Sequence, residues 1–373
     1  MVPVCTLPIR LIALFWLLTV ALVGAQACDA ATAGSNPAYV SYDFGTTGKT
    51  VVFGSQPMGI IAAVVPELMH RDRILAGQLK RLGLELKVLP FYNGPDINHF
   101  MKQGKVAAAM AGDFPTFSIA SAEDVHVVAI SKRDKAAVVT DKKYRSIKEL
   151  TGKRVSFPEG SSSHLGLLVV LEAAGMKEEE FKMLPMGIDQ LVPAISSGQT
   201  DAIAGWEPVP TLALAANHNL RIISQFLNTD FYYWRGSFAA QHAEASRCLL
   251  AAYSRSINWM NKSDANLTAA ATWSLSSTQA FLGAGKPLPL PLDKLKVRIR
   301  ENLALIGSAA IPVTEFADGS YLQRAFDLLK RKGRLPENAE WRRVQRSVKT
   351  QYLKEINADR KKYQTTTFDY DRN

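Results

Sequence analysis

The stretch Gly104-Lys-Val-Ala-Ala-Ala-Met-Ala-Gly-Asp-Phe-Pro115 recurs about 94 residues later as Gly198-Gln-Thr-Asp-Ala-Ile-Ala-Gly-Trp-Glu-Pro208. Each copy follows a helical pattern, turns at a glycine, continues as a short run of small residues, and breaks at an acidic residue and a proline. A strand-to-loop unit that occurs twice in one chain predicts two similar α/β lobes, and in such sheets ligands sit beyond the carboxyl ends of the strands. The expected site is therefore a cleft between the lobes.

The flanking sequence carries the same alternation. Residues 50–53 read as a buried strand, 54–59 as a turn and 60–75 as a helix, followed by a strand at 84–89, a helix at 95–102, and strands at 107–111 and 125–130. After a short apolar run at 136–140 the pattern restarts, with strands at 155–157, 183–186, 202–204 and 220–223 and helical stretches at 165–174, 188–196 and from 210. Residues 230–239 are extended and aromatic, and almost everything beyond them is helical. The alternation predicts α/β architecture, each lobe a mainly parallel sheet flanked by helices. The expected division is 48–140 plus 229–373 for the first lobe and 141–228 for the second. The chain crosses back near Asn228, and the C-terminal helices pack on the first lobe.

The N-terminus reads as an export signal. Arg10 is the only charge before the apolar run 11–23, and Ala25-Gln-Ala27 supplies the small residues of a cleavage site. The run falls short of the about 20 apolar residues that span a bilayer. Cys28 follows directly, in the manner of a bacterial lipoprotein box, although Ala25 stands where a leucine or valine is usual. Residues 28–47, small and polar, read as a flexible leader. Only Cys28 and Cys248 remain beyond the signal, so cysteine implies no metal or redox framework.

The formal net charge is +10, and from Arg324 onward 14 Lys and Arg stand against 7 Asp and Glu, so the tail carries most of the excess. Its charges are spread singly at helical spacing rather than clustered, which reads as a solvated helix hairpin, or one touching anionic lipid or a partner, and not as a nucleic-acid surface.

Two segments carry a family resemblance. Ser146-Ile-Lys-Glu-Leu-Thr-Gly-Lys-Arg-Val-Ser-Phe-Pro-Glu-Gly-Ser161 resembles the opening of the second lobe in periplasmic binding proteins for aliphatic sulfonates, taurine and nitrate, and Gly198 to Pro208 resembles their second hinge-side loop. The resemblance covers roughly residues 50–260. It implies the two-lobed periplasmic-binding-protein type II fold, a small organic anion as ligand, a membrane permease of an ATP-binding cassette importer as partner, a monomer, and no cofactor.

The candidate ligand-binding residues follow from position and chemistry. Ser161, Ser162 and Ser163 precede an apolar helical run; one serine suffices as a cap, and three hydroxyls with free backbone N–H groups suit a small anion. His164 either caps, packs or binds. Trp206 stacks on a ligand skeleton or packs between the lobes, and Glu207 accepts from an amine. Asp113 and Phe114 occupy the equivalent position in the first copy. Gln56, in the first strand-to-helix turn, is an amide donor to an oxyanion. Tyr233 and Arg235 follow the second crossing; Arg235 either pairs an anion or makes a salt bridge across the hinge.

Catalytic signatures are missing. Gly160-Ser-Ser-Ser-His164 lacks the second glycine of a nucleophile elbow, no phosphate-binding loop occurs, and His70, His99, His126, His164, His218 and His242 are too far apart in sequence for a zinc motif. The cysteine-rich motif of the thiamine-pyrimidine synthases that share this fold is absent too. The sequence reads as a solute-binding protein that is not an enzyme. A sensing module with the same cleft, or an exported enzyme using Asp113 and Glu207 as an acid and base pair, are the alternatives.

Overall fold

The computed structural model describes residues 33–286 and 288–372. The expected signal peptide and Cys28 lie outside the described residues. The first half contains β1 (Thr50–Ser55), α1 (Ile61–Arg71), α2 (Arg73–Arg81), β2 (Glu85–Pro90), α3 (Gly94–Lys102), β3 (Ala108–Gly112) and α4 (Asp113–Ala122). A long strand, β4 (Val125–Asp141), leads into β5 (Arg154–Phe157), α5 (Ser162–Ala173), β6 (Lys182–Pro185), α6 (Leu191–Ser196), β7 (Ala202–Gly205) and α7 (Val209–Ala216). A second long strand, β8 (Leu220–Arg235), returns to α8 (Gly236–Gln241), α9 (Ala243–Lys262), α10 (Asp264–Leu282) and α11 (Leu292–Ile306). The chain ends in α12 (Tyr321–Arg331), α13 (Trp341–Ser347), α14 (Gln351–Ala358) and α15 (Arg360–Tyr363).

All the strands join one sheet in the order β2-β1-β3-β8-β4-β7-β5-β6. Strand β1 is parallel to β2 and β3, and β5 is parallel to β6 and β7. Between these groups β8 and β4 run antiparallel to each other, with β3 antiparallel to β8 and β7 antiparallel to β4. The order is thus a palindrome, and the two copies of the repeated phrase supply its equivalent members, β3 and β7. Gly104 and Gly198 enter them with φ of 77° and 74°, a left-handed backbone that glycine adopts without a Cβ penalty.

Three differences from the sequence reading have physical causes. The apolar runs 125–130 and 136–140 are one strand, and so are 220–223 and the segment beginning at 230. The charged breaks between the runs face each other: Lys132 lies opposite Asp230, and Asp134 opposite Asn228, so the ladder continues through them. After Arg235 the chain turns helical, so 236–239 are not extended. The expected helix 60–75 is two helices, because the Asp72 carboxylate accepts from Ile74 N at 2.9 Å and Leu75 N at 3.0 Å and caps the second.

Two hydrophobic cores flank the crossing. One gathers β1, β3 and α1 to α4 with the C-terminal helices; the other gathers β5, β7 and α5 to α7. Ala136, Ala137, Val138 and Val139 belong to the second core, so the chain passes between the halves within β4, near Lys132 to Asp134, rather than after residue 140.

The tail is no solvated hairpin. Trp341, Val344, Leu353, Ile356, Tyr363 and Tyr370 join the first core, and Arg73 N donates to Asp369 O and Asp371 N to Arg71 O, both at 2.9 Å. Nor does it touch the first half alone. Leu165 and Leu168 of α5 pack in the same cluster, and Arg334 reaches Glu178 at 2.7 Å and Glu159 at 3.5 Å in the second half. The expected leader is likewise engaged over its described part: Tyr39 is buried and its hydroxyl donates to Asp96 Oδ2 at 2.7 Å. Among the described residues no helix is long and apolar enough to cross a membrane.

Candidate functional site

Where β4 and β8 cross from one half to the other, the two halves meet around a small polar cavity of about 20 Å³, room for about one water molecule. Gln56, Gly59, Gly94 and Gly112 line it from the first half, Ser161, Ser162 and Trp206 from the second, and Lys132, Asn228 and Asp230 from the crossing strands. The halves are therefore closed on each other. A Cβ placed on Gly112 would lie 1.9 Å from Ser162 Oγ, so glycine is what allows this approach.

Several donors around the cavity already serve protein acceptors. Gln56 Nε2 donates to Met110 O at 2.7 Å, and Trp206 Nε1 donates across the cleft to Met58 O at 3.2 Å. Ser161 caps α5, accepting from His164 N and donating to Pro158 O at 2.6 Å. Lys132 Nζ lies 3.3 Å from Asp230 Oδ2 and 3.7 Å from Asp134 Oδ2. Asn228 Nδ2 donates to Asp134 Oδ1 at 2.9 Å. Asp113, buried at the first position of α4, accepts from Phe114 N at 2.8 Å.

Burial dominates the electrostatics. It pushes the Asp113 carboxyl up to about 7, against the opposing pull of the neighbouring Ser162 hydroxyl. Asp230 is also raised by burial, partly offset by the Lys132 ammonium. Lys132 itself is raised: its burial works against the charged form, and Asp134 and Asp230 together outweigh that cost.

Of the residues singled out from sequence, Gln56, Ser161, Ser162 and Trp206 line the cavity, and Asp113 stands directly behind Ser162. The others are elsewhere. Phe114 and His164 pack on each other at 5.9 Å, with Phe157 4.5 Å from the imidazole, and His164 is wholly buried in the body of the second half beside Glu159. Ser163 is buried with its hydroxyl unpartnered, away from the cavity wall. Glu207 is half-buried beside Thr211 and Arg298, and burial raises its pKa. Tyr233 donates to Asn98 Oδ1 at 2.7 Å inside the first core. Arg235 ends β8 far from its middle, on a separate surface cavity with Gly104, Phe44 and His242, so it neither faces the cleft nor bridges the hinge. Distance along the strand decides this: Asp230 is the residue of β8 at the crossing, and Arg235 lies five positions beyond it on an extended strand.

Sequence reasoning missed Lys132, Asp134, Asn228 and Asp230. The signal was present as charged and polar residues between the apolar runs 125–130 and 136–140 and around the return crossing near Asn228. Among the described residues no group of three or more His, Cys, Asp or Glu side chains is placed to hold a metal ion.

Two α/β halves sharing one sheet, joined by two crossing strands with a polar cavity at the crossing, define the fold of periplasmic binding proteins. The chain belongs to the NMT1/THI5-like family, whose model matches residues 76–265, about half of its length. A binding protein of Brucella abortus strain 2308 is 26% identical over 156 residues, 42% of this chain and 48% of that protein. A protein of Escherichia coli K12 named as an aliphatic sulfonates-binding protein is 29% identical over 129 residues, 33% of this chain and 40% of its own. The chain thus spans about half the length of the curated relatives it matches. Among solved structures, the alkanesulfonate-binding protein SsuA of Xanthomonas axonopodis pv. citri superposes with a TM-score of 0.62 at 18% identity, covering 82% of this chain and 99% of that one. The nitrate-binding protein NrtA of Synechocystis PCC 6803 gives 0.62 at 12% identity, covering 83% and 89%. At these identities the likeness is one of fold.

Proposed function

We propose that the protein is the extracytoplasmic solute-binding component of an ATP-binding cassette importer, capturing a small polar organic solute between its lobes and presenting the closed form to a membrane permease. One observation carries this reading: the polar cavity sits at the crossing of β4 and β8, between the two halves that these strands connect. Of the three register shifts in the β4–β8 ladder, the one at Ile130/Lys132 lies at that place, and such irregularities bend a strand. A solute touching both halves favours the closed form by its differential affinity, and the permease reads that geometry. The lobes are taken as the two cores on either side of the crossing.

A sulfonate- or nitrate-like anion, the expectation from sequence, is supported by the names of similar proteins and by the Ser162 hydroxyl lining the cavity at the start of α5. Against it stand Asp113, Asp134 and Asp230 with Lys132 as the one cation among them. Export by residues 1–27 agrees with an extracytoplasmic site and is tested by fractionation of cells with and without that segment. Solute binding is tested by a thermal-shift screen of the protein against small amines, amino acids, sulfonates and nitrate, because a ligand of the folded state raises the melting midpoint by mass action. A screen without any shift, combined with unchanged small-angle scattering across the panel, refutes the reading.

A further inference from the structure

Resting on the solute-binding reading, we infer that the group recognised at the hinge is a cationic nitrogen, a protonated amine or amidinium, and not an anionic head. A solute-binding cleft advertises its ligand through the polar atoms it leaves open. One acceptor on a side chain more than nine-tenths buried is left open at this crossing: Asn228 Oδ1 has no hydrogen-bond partner, whereas Asp134 Oδ2 lies 3.7 Å from Lys132 Nζ and the Ser162 hydroxyl stands beside the Asp113 carboxyl. An amide carbonyl oxygen can only accept. The orientation of the Asn228 amide is fixed by its neighbour, since the Asp134 carboxylate accepts and so takes the NH2 group, which leaves the carbonyl oxygen as the unpartnered atom of a residue that lines the cavity. Three donors at the crossing already serve protein acceptors: Gln56 serves Met110 O, Trp206 serves Met58 O, and Lys132 lies between two carboxylates.

Charge points the same way. The crossing holds one lysine with Asp134 and Asp230, and Asp113 stands close enough to interact with both Lys132 and Asp230. Helix N-termini attract anions, and α4 and α5 both begin here, yet the chain supplies that anion itself, because Asp113 opens α4 and lies beside Ser162 of α5. An incoming anion meets Asp134 and Asp230, and Asp113 once it has released its proton, against the single charge of Lys132 in a site shielded from water; an incoming cation completes the balance. Lys132 occupies the space between the carboxylates that a metal ion would need.

The test is calorimetric titration of the full mature protein with matched probes: taurine against isethionate, which replaces its amine by a hydroxyl; ethanolamine, putrescine and agmatine; ethanesulfonate and nitrate; and calcium chloride. The expected result is binding by amine-bearing probes, with isethionate at least about tenfold weaker than taurine. In the wild-type protein the affinity for a bound amine rises between about pH 6 and about pH 8, as Asp113 gives up its proton. Asp134→Asn, which removes one of the three carboxylates gathered around Lys132, weakens amine binding at least about tenfold. If that variant does not fold, the isethionate comparison and the pH dependence, both on wild-type protein, decide. Isethionate, ethanesulfonate or nitrate binding as tightly as the amine-bearing probes overturns the inference and leaves the solute-binding reading standing, as does calcium competing with them. Absence of binding by every probe at every pH sinks both.

Discussion

Replacing Asp113 by asparagine separates the electrostatics of the cleft from its shape. Asp113 is almost wholly buried, and burial raises its carboxyl from 3.8 to about 7. A raised carboxyl is a cost that appears with pH: the folded protein holds the proton where the unfolded chain has released it, so unfolding free energy falls as pH climbs from the ordinary carboxylate range to about 7 and is flat above. The full shift corresponds to about 4 kcal/mol, of which about 3 kcal/mol is incurred between about pH 5 and about pH 8. Asparagine keeps the shape and the acceptor for Phe114 N, while having no charge to bury. Asp113→Asn is therefore expected to gain stability relative to wild type as pH rises, by about 3 kcal/mol over that interval, with little difference near pH 4. Urea unfolding of both proteins across the pH series reads this directly. A stability difference that does not change with pH, or one that changes in the opposite direction, refutes the account of a carboxyl destabilised by burial.

Three further predictions concern closure and anchoring. Gly112→Val fills the space in which Ser162 Oγ and Asp230 Oδ1 approach the backbone, so the halves are held apart; small-angle scattering should show a larger radius, and solute affinity should fall at least about tenfold. Arg255→Met leaves Asp72 buried without the guanidinium that donates to it at 2.7 Å, and loses the donor to Tyr363 O; denaturant unfolding should register a loss of about 3–5 kcal/mol, partly recovered on adding Asp72→Asn. Arg334→Ala removes the strap from the C-terminal segment to Glu159 and Glu178 in the second half, at a cost to stability of at most about 1 kcal/mol because the pair is partly exposed. The readout is the open fraction by a fluorescence pair across the cleft, which should rise in the variant and, in wild type, with added salt.

The repeated phrase was legible because local rules write it: a glycine at positive φ, a run of small residues for a buried strand, an acidic residue where the strand gives way to helix. Those rules act within a dozen residues, so β1 to β3 and β5 to β7 could be read with their helices, along with the existence of two halves. Gln56, Ser161, Ser162 and Trp206 could be singled out for the same reason, since loops at the carboxyl ends of strands face the cleft in this kind of sheet. Arg235 and Tyr233 were misplaced because strand alternation gives the face of a side chain but not its distance from the crossing, which depends on where β8 meets β4.

The chain by itself determined the α/β class, the doubling and the strand-to-helix loops, because periodicity and turn chemistry are properties of neighbours in sequence. Only the tertiary structure decided that Lys132 faces Asp230 and Asp134 faces Asn228, about 94 residues away, that Gly112 admits Ser162, and that the basic tail is bound into both halves. Charges on a strand look like interruptions until their partners are known. A buried carboxylate is costly alone and tolerable beside an ammonium, and which of the two applies is fixed by contacts between segments that the sequence keeps far apart.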